Sequence, residues 1–578
     1  MKRNKILALV LALLLICGTF AACGNDSGSS TASTPASKAD DGASTPESAP
    51  ADGGNDAAPS NTTLTVNAAM EPTGLNTLNA TYSIEFSIFR HLYENLYVLN
   101  DEDQPVPGAA ETVDINEDKS VFTFHLREDG KWTNGDPVTA NDFSFAWQQA
   151  LNPDVAADYG YFLYFIKNAE PFFKGECTWE EVGVKVIDDL TLEVTLDHPI
   201  PYAEFLFSFG TLCPINQKFY EEVGADKYST EAEYFCTNGP FQLTEWNHDS
   251  NILMVKNNDF HGADEVQVEE INWKIITDAQ AALTEFLSGG LDMVNLSNGE
   301  LISQAEAQGY EIQSYSDGSA FYIYFNHSNQ YLQNANLRKA LALGFDKEGM
   351  IQAVYQNANQ PMTSFTCPAV TGYDGNTTFQ SGLEAWNNGE ALTPKNGDPE
   401  AAKKYLETAL SELGCTVEDL SANLSIDCGD SQIAGNEAAY YQEQWRQNLG
   451  IEVTVNPMPT KQGSANRKNG NYVMSLTGWG PDYDDPMSFL DLWVSDGGNN
   501  QTFYASEAYD KLIADATMET DFAKRQEIFY EAEKLIVEDL PVAPSYWRFP
   551  SYALSEHVAG GVHRSVFQGI DLVHVTLK

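Results

Sequence analysis

Gly478 to Pro486, GWGPDYDDP, gathers the side chains in this chain best suited to chemistry. An indole, Trp479, and a phenol, Tyr483, stand beside three carboxylates, Asp482, Asp484 and Asp485. A carboxylate in that company can pair with an ammonium group while the rings keep water off the contact. Asp484 and Asp485 also offer the parts of an acid/base pair. Adjacent loop residues normally point apart, however, and no nucleophile, Ser/His/Asp order or metal constellation accompanies them. Binding is therefore the preferred reading, and no residue is assigned a catalytic role. The plain alternative is a surface loop with one core tryptophan and solvated acids. Gly478, Gly480, Pro481 and Pro486 interrupt regular structure, so a loop of fixed shape is expected. It follows the apolar run Tyr472–Leu476, which reads as a buried strand, and the loop after a strand is a common ligand position in open α/β sheets.

The surrounding elements alternate. Strands are expected at 64–69, 121–126, 190–196, 274–276, 291–294, 321–326 and 451–455 from short apolar or alternating runs. Helices are expected at 85–97, 279–287, 336–343, 399–413, 436–449 and 522–540 from apolar stripes. Asp398-Pro399 supplies an N-cap and a first-turn proline, Gly414 and Gly450 supply stops, and Thr139 to Asp142 caps a helix carrying Phe143, Phe145 and Trp147. The alternation gives an α/β fold. A break at Asp317-Gly318-Ser319 is a lobe boundary, because a new unit starts there.

The chain begins with MKRNK and the apolar run Ile6–Ile16, a leader too short to span a bilayer as a stable helix. Phe20-Ala21-Ala22-Cys23 follows, with small residues before a cysteine. Residues 24–61 carry no large apolar side chain and read as a tether with an r.m.s. span of roughly 35 Å. The 578 residues leave ample length for more than one core beyond it. Net charge is -51, from 83 acids and 32 bases, so the basic footprint of a nucleic-acid binder is missing. The histidines do not cluster, no zinc spacing occurs, and neither a metal nor any other cofactor is expected. Among the remaining cysteines, Cys213 and Cys236 flank a helix-like segment and form the best candidate disulfide, although spacing leaves connectivity open.

Five segments occur in a familiar order: FTFHLREDGKW, DPVTANDFSFAWQQALNP, TNGPFQLTEW, LRKALALGFDKEGMI and GWGPDYDDPMSFLD. Together they resemble the family-5 extracytoplasmic solute-binding proteins, the peptide binders of ABC importers, most of all the oligopeptide branch. Phe20 to Cys23 resembles a bacterial lipobox. The resemblance implies a two-lobed, type II periplasmic-binding-protein-like fold with a hinge and an inserted subdomain. In this chain that gives a lipoprotein signal peptide at 1–22, a tether at 23–61 with Cys23 lipidated, lobe 1 at 62–317 plus 541–578, an insertion at about 107–205, and lobe 2 at 318–540. It implies a monomer on the outer face of the bacterial cell membrane, handing oligopeptides to membrane permease subunits. The peptide lies between the lobes as an added strand, read through its backbone.

Residue by residue, the resemblance makes Asp482 the partner of the ligand's amino terminus, with Trp479, Tyr483 and Gly478 around it. It brings Glu94 near the ligand backbone and offers Tyr159 and Tyr161 to the ligand. Relatives often carry an arginine three residues before the loop tryptophan for the ligand carboxylate. Here Leu476 stands there, with Lys461 and Arg467 as the neighbouring cations. An oligosaccharide ligand, a pheromone-sensing role and nickel binding are the rivals; the first two share the site, and the scattered histidines disfavour the third.

Overall fold

Leu64 and Val66 alternate with threonines along Thr63–Asn67, and both apolar side chains are fully buried. That strand lies inside a seven-stranded sheet. The computed structural model describes residues 62–155, 157–373, 375–495 and 497–578. The leader, Cys23 and the tether lie outside them. In the first sheet Thr63–Asn67 runs parallel to Glu270–Lys274 on one side and Met293–Leu296 on the other. Helix Ala279–Leu287 makes the connection between those two flanking strands. The expected β-α-β unit is present with its strands displaced, at Glu270–Lys274 and Met293–Leu296 and not at 274–276 and 291–294, and the first strand of the body lies between them.

A second sheet has six strands in the order Gln360–Pro361, Val542–Trp547, Ala320–Phe325, Met474–Trp479, Ser425–Gly429 and Thr454–Met458. Its parallel part is again a crossover. Ser425–Gly429 pairs with Thr454–Met458, and Gln432–Leu449 is the helix between them. A four-stranded antiparallel sheet, 110–126 with 184–195, falls inside the expected insertion. Among the described residues no helix is long and apolar enough to cross a membrane.

The chain passes between the two large sheets twice. Ala320–Phe325 opens the second sheet just after Gly318, whose φ of +73° suits glycine. The return differs from the expected position. Val542–Trp547 still belongs to the second sheet, pairing with Ala320–Phe325, and the first sheet is rejoined only at Ser551–Leu554. A run of six buried residues, Val542 to Trp547, suits a strand covered on both faces. Arg548 ties the crossings together: its Nε donates to Asp317 at 2.6 Å.

Local signals hold where they are strong. Pro399–Leu413 starts on an Asp398 cap that accepts from the Ala401 N–H at 3.0 Å, and stops at Gly414 in the left-handed region. Ala140–Ala150 starts on a reciprocal Thr139/Asp142 cap and buries Phe143, Ala146, Trp147 and Ala150.

Candidate functional site

The strand into the opening motif runs further than expected. Met474–Trp479 pairs with Ala320–Phe325, so Gly478 and Trp479 are strand residues and not loop. Gly478 lies opposite Phe321, and a Cβ there would stand 2.9 Å from the Phe321 ring. The glycine therefore extends the sheet by admitting a ring, and the loop begins only at Gly480.

Within that loop the three acids part company. Asp485 is clamped by Arg525, whose two terminal nitrogens donate at 2.5 and 2.9 Å. Asp484 accepts from the backbone N–H of Thr371 at 2.7 Å and from its hydroxyl. The Asp482 carboxylate accepts no hydrogen bond and makes no ion pair with any described residue. Its own backbone N–H donates to Ser488 Oγ at 2.9 Å, while Trp479 Nε1 donates to the Ser488 carbonyl at 2.8 Å. Ser488 thus holds both the indole and the Asp482 backbone in place, and sequence reasoning missed it.

Asp482 opens on a cavity of about 130 Å³. Trp479, Tyr483, Ser488, Asp491 and Asn499 form one side, and Tyr161, Phe162, Phe165 and Tyr202 come from the insertion side. Tyr202 stacks on Tyr483 with centroids 4.4 Å apart and planes within 11°. Asn499 Nδ2 donates to the Tyr161 hydroxyl at 3.1 Å. Tyr159 stacks on Tyr161 at 5.6 Å and packs edge-on to Phe86. Gly160 sets this turn against the end of helix Ala140–Ala150, since a Cβ there would stand 2.6 Å from the Ala150 carbonyl.

The electrostatics follow from these walls. Burial, then the charge of Asp491, raises the Asp482 carboxyl well above the ordinary range. Burial, then Asp485, raises Asp491 to about 7. The Asp491 side chain is exposed at the mouth of the cavity, and it too lacks a partner among the described residues. Burial, then Asp482, raises both the Tyr159 and Tyr161 phenols. An unpaired carboxylate among rings accepts a cation.

Not every expected residue reaches this cavity. Glu94 is buried elsewhere, its Oε1 2.8 Å from His261 Nε2, in a separate space of about 450 Å³ lined also by Arg90, Arg127 and Gln568. The helix expected to carry it ends at Leu92, and the chain then turns to pack against Asn238, which bonds both the N–H and the carbonyl of Glu94. Cys213 and Cys236 are both buried as free thiols, with no bond between them. A disulfide demands a narrow Cβ separation and direction that spacing along the chain does not specify. Lys461 is exposed, and Arg467 donates from Nε to Gln501 at 3.3 Å.

Two sheets linked by two crossings, with an acid-and-aromatic cavity between residues 161–206 and 479–499, define a hinged two-lobe α/β binding protein. The sequence profile described as bacterial extracellular solute-binding proteins, family 5, middle region, matches residues 104–501. The chain belongs to that family. It is 31% identical over 509 residues to the oligopeptide-binding protein OppA of Bacillus subtilis, covering 86% of this chain and 90% of that protein. The substrate-binding domain of an oligopeptide ABC transporter from Bacillus anthracis superposes with a TM-score of 0.80 at 32% identity, covering 89% of this chain and 98% of the other. Listeria monocytogenes OppA bound to peptide superposes with a TM-score of 0.79 at 30% identity, covering 89% and 99%.

Proposed function

We propose that the protein is an extracytoplasmic peptide receptor that delivers oligopeptides to an ABC importer and performs no chemistry on them. The observation that carries this reading is the Asp482 carboxylate, without a partner among the described residues, in an aromatic cavity. A peptide's amino terminus supplies the missing cation, and its backbone continues as an added strand. The peptide-bound Listeria relative and the oligopeptide-binding Bacillus relative support the ligand class. Asp484 and Asp485 are already committed to Thr371 and Arg525, which favours binding over acid/base catalysis. Lipidation at Cys23, a monomeric state, the lobe limits at 318 and near 550, and the permease partners complete the proposal. The family's transport role and the leader read from the sequence support the anchor and the permease.

Titration calorimetry with mixed tri- to pentapeptides against cello- and xylo-oligosaccharides tests it. Heat from peptides and none from sugars is expected. Sugar binding without peptide binding would overturn it.

A further inference from the structure

The cavity beside Asp482 holds one carboxylate more than an amino terminus needs. Asp482 and Asp491 both line it, and neither accepts a hydrogen bond from a described side chain. None of the lining residues is cationic. Arg525 is spent on Asp485 and does not line the cavity. A ligand with a single ammonium group would neutralise Asp482 and leave the exposed Asp491 carboxylate at the mouth of the cavity free to take a second cation.

We infer that Asp491 selects for a second positive charge, so that the preferred ligands are peptides whose first residue carries an aminoalkyl or guanidinium side chain. The α-ammonium group meets Asp482, and the side-chain cation of the same residue meets Asp491. Tyr161, Tyr202 and Tyr483 offer faces that stabilise such a cation once it is desolvated. The inference rests on the peptide reading above and adds a side-chain preference to it.

The test is calorimetry on the full chain at a mildly alkaline pH, where Asp491 is ionised. It compares lysyl-alanyl-alanine with norleucyl-alanyl-alanine, which match in length and differ in charge. The lysyl peptide is expected to bind about tenfold more tightly or better, and Asp491→Asn should bring the ratio close to one. A ratio near one in the unaltered protein overturns the inference, as does a preference that survives Asp491→Asn. If the variant fails to fold, the ratio in the unaltered protein decides alone. Norleucyl-peptide binding without a lysyl preference removes this inference and leaves the peptide reading intact. Binding of neither peptide removes both.

Discussion

Arg525 grips Asp485 through both terminal guanidinium nitrogens, with the two side chains only 7% and 9% exposed. The same guanidinium lies 4.5 Å from the Phe529 ring centroid and 5.7 Å from that of Tyr202. One buried ion pair therefore pins the loop to helix Phe522–Asp539 and backs the wall on which Tyr483 stacks. Breaking such a pair from one side strands the other charge. Arg525→Leu is expected to cost about 3–5 kcal/mol of stability, read from denaturant unfolding midpoints. A loss below about 1 kcal/mol would place the clamp among dispensable contacts.

Asp482 should be felt only by ligands with a free amine. Asp482→Asn is expected to weaken free-amine peptides by about 1.5–3 kcal/mol, or roughly tenfold to a hundredfold, with N-acetylated peptides little changed. Calorimetry on matched pairs reads the difference. Equal losses for both peptides would take the amine role away from Asp482.

The Tyr202–Tyr483 stack joins the insertion side to the loop. Tyr202→Ala should remove about 0.5–1.5 kcal/mol beyond lost area and appear mostly as faster peptide release. Stopped-flow displacement of a labelled peptide measures that rate, and small-angle scattering reports any shift to a more open form. Unchanged release with an unchanged radius would show that this stack does not hold the closed arrangement.

Asp491 sets a pH dependence with a definite sign. Its folded pKa of about 7 lies above the ordinary carboxylate value, so the folded chain holds that proton more tightly than the unfolded chain. The associated stability is complete below the unfolded value of about 4 and is lost as pH rises through about 7. Glu437, raised by burial to about 7, acts in the same direction. Lys347, lowered by burial to about 7, acts in the opposite one, because the cost of charging it in the core lifts as pH rises. The measurement that isolates Asp491 is the melting-temperature difference between Asp491→Asn and the unaltered protein without ligand. That difference should move in the variant's favour as pH rises from about 4 to about 7 and level off above it. A flat difference would mean that Asp491 does not titrate there.

Much of the fold was legible because its signals are local. The strand at Val121–Leu126 and the helix at Ala279–Leu287 appear where alternation and stripe placed them. Gly414 and Gly450 stop their helices in the left-handed region, as glycine after a helix allows. The misses came from partners far along the chain. Gly478 looked like a breaker until Phe321 was set beside it. Val542–Trp547 carries no local mark that distinguishes one sheet from the other, and its pairing with Ala320–Phe325 decides. Glu94 lies in a stretch whose apolar stripe predicts helix, and packing with Asn238 and His261 draws it into a different cavity.

The sequence by itself determined that an acid-rich aromatic turn would follow a strand, and that helices and strands would alternate around it. Spacing and side-chain type suffice for that, since both act over a few residues. Only the tertiary structure decided which of the three carboxylates stays free. Asp484 finds Thr371 and Asp485 finds Arg525, 113 and 40 residues away, while no described side chain donates to the Asp482 carboxylate. Whether a charge is neutralised depends on what the fold carries to within about 3 Å of it, a relation between distant parts of the chain that the motif does not contain.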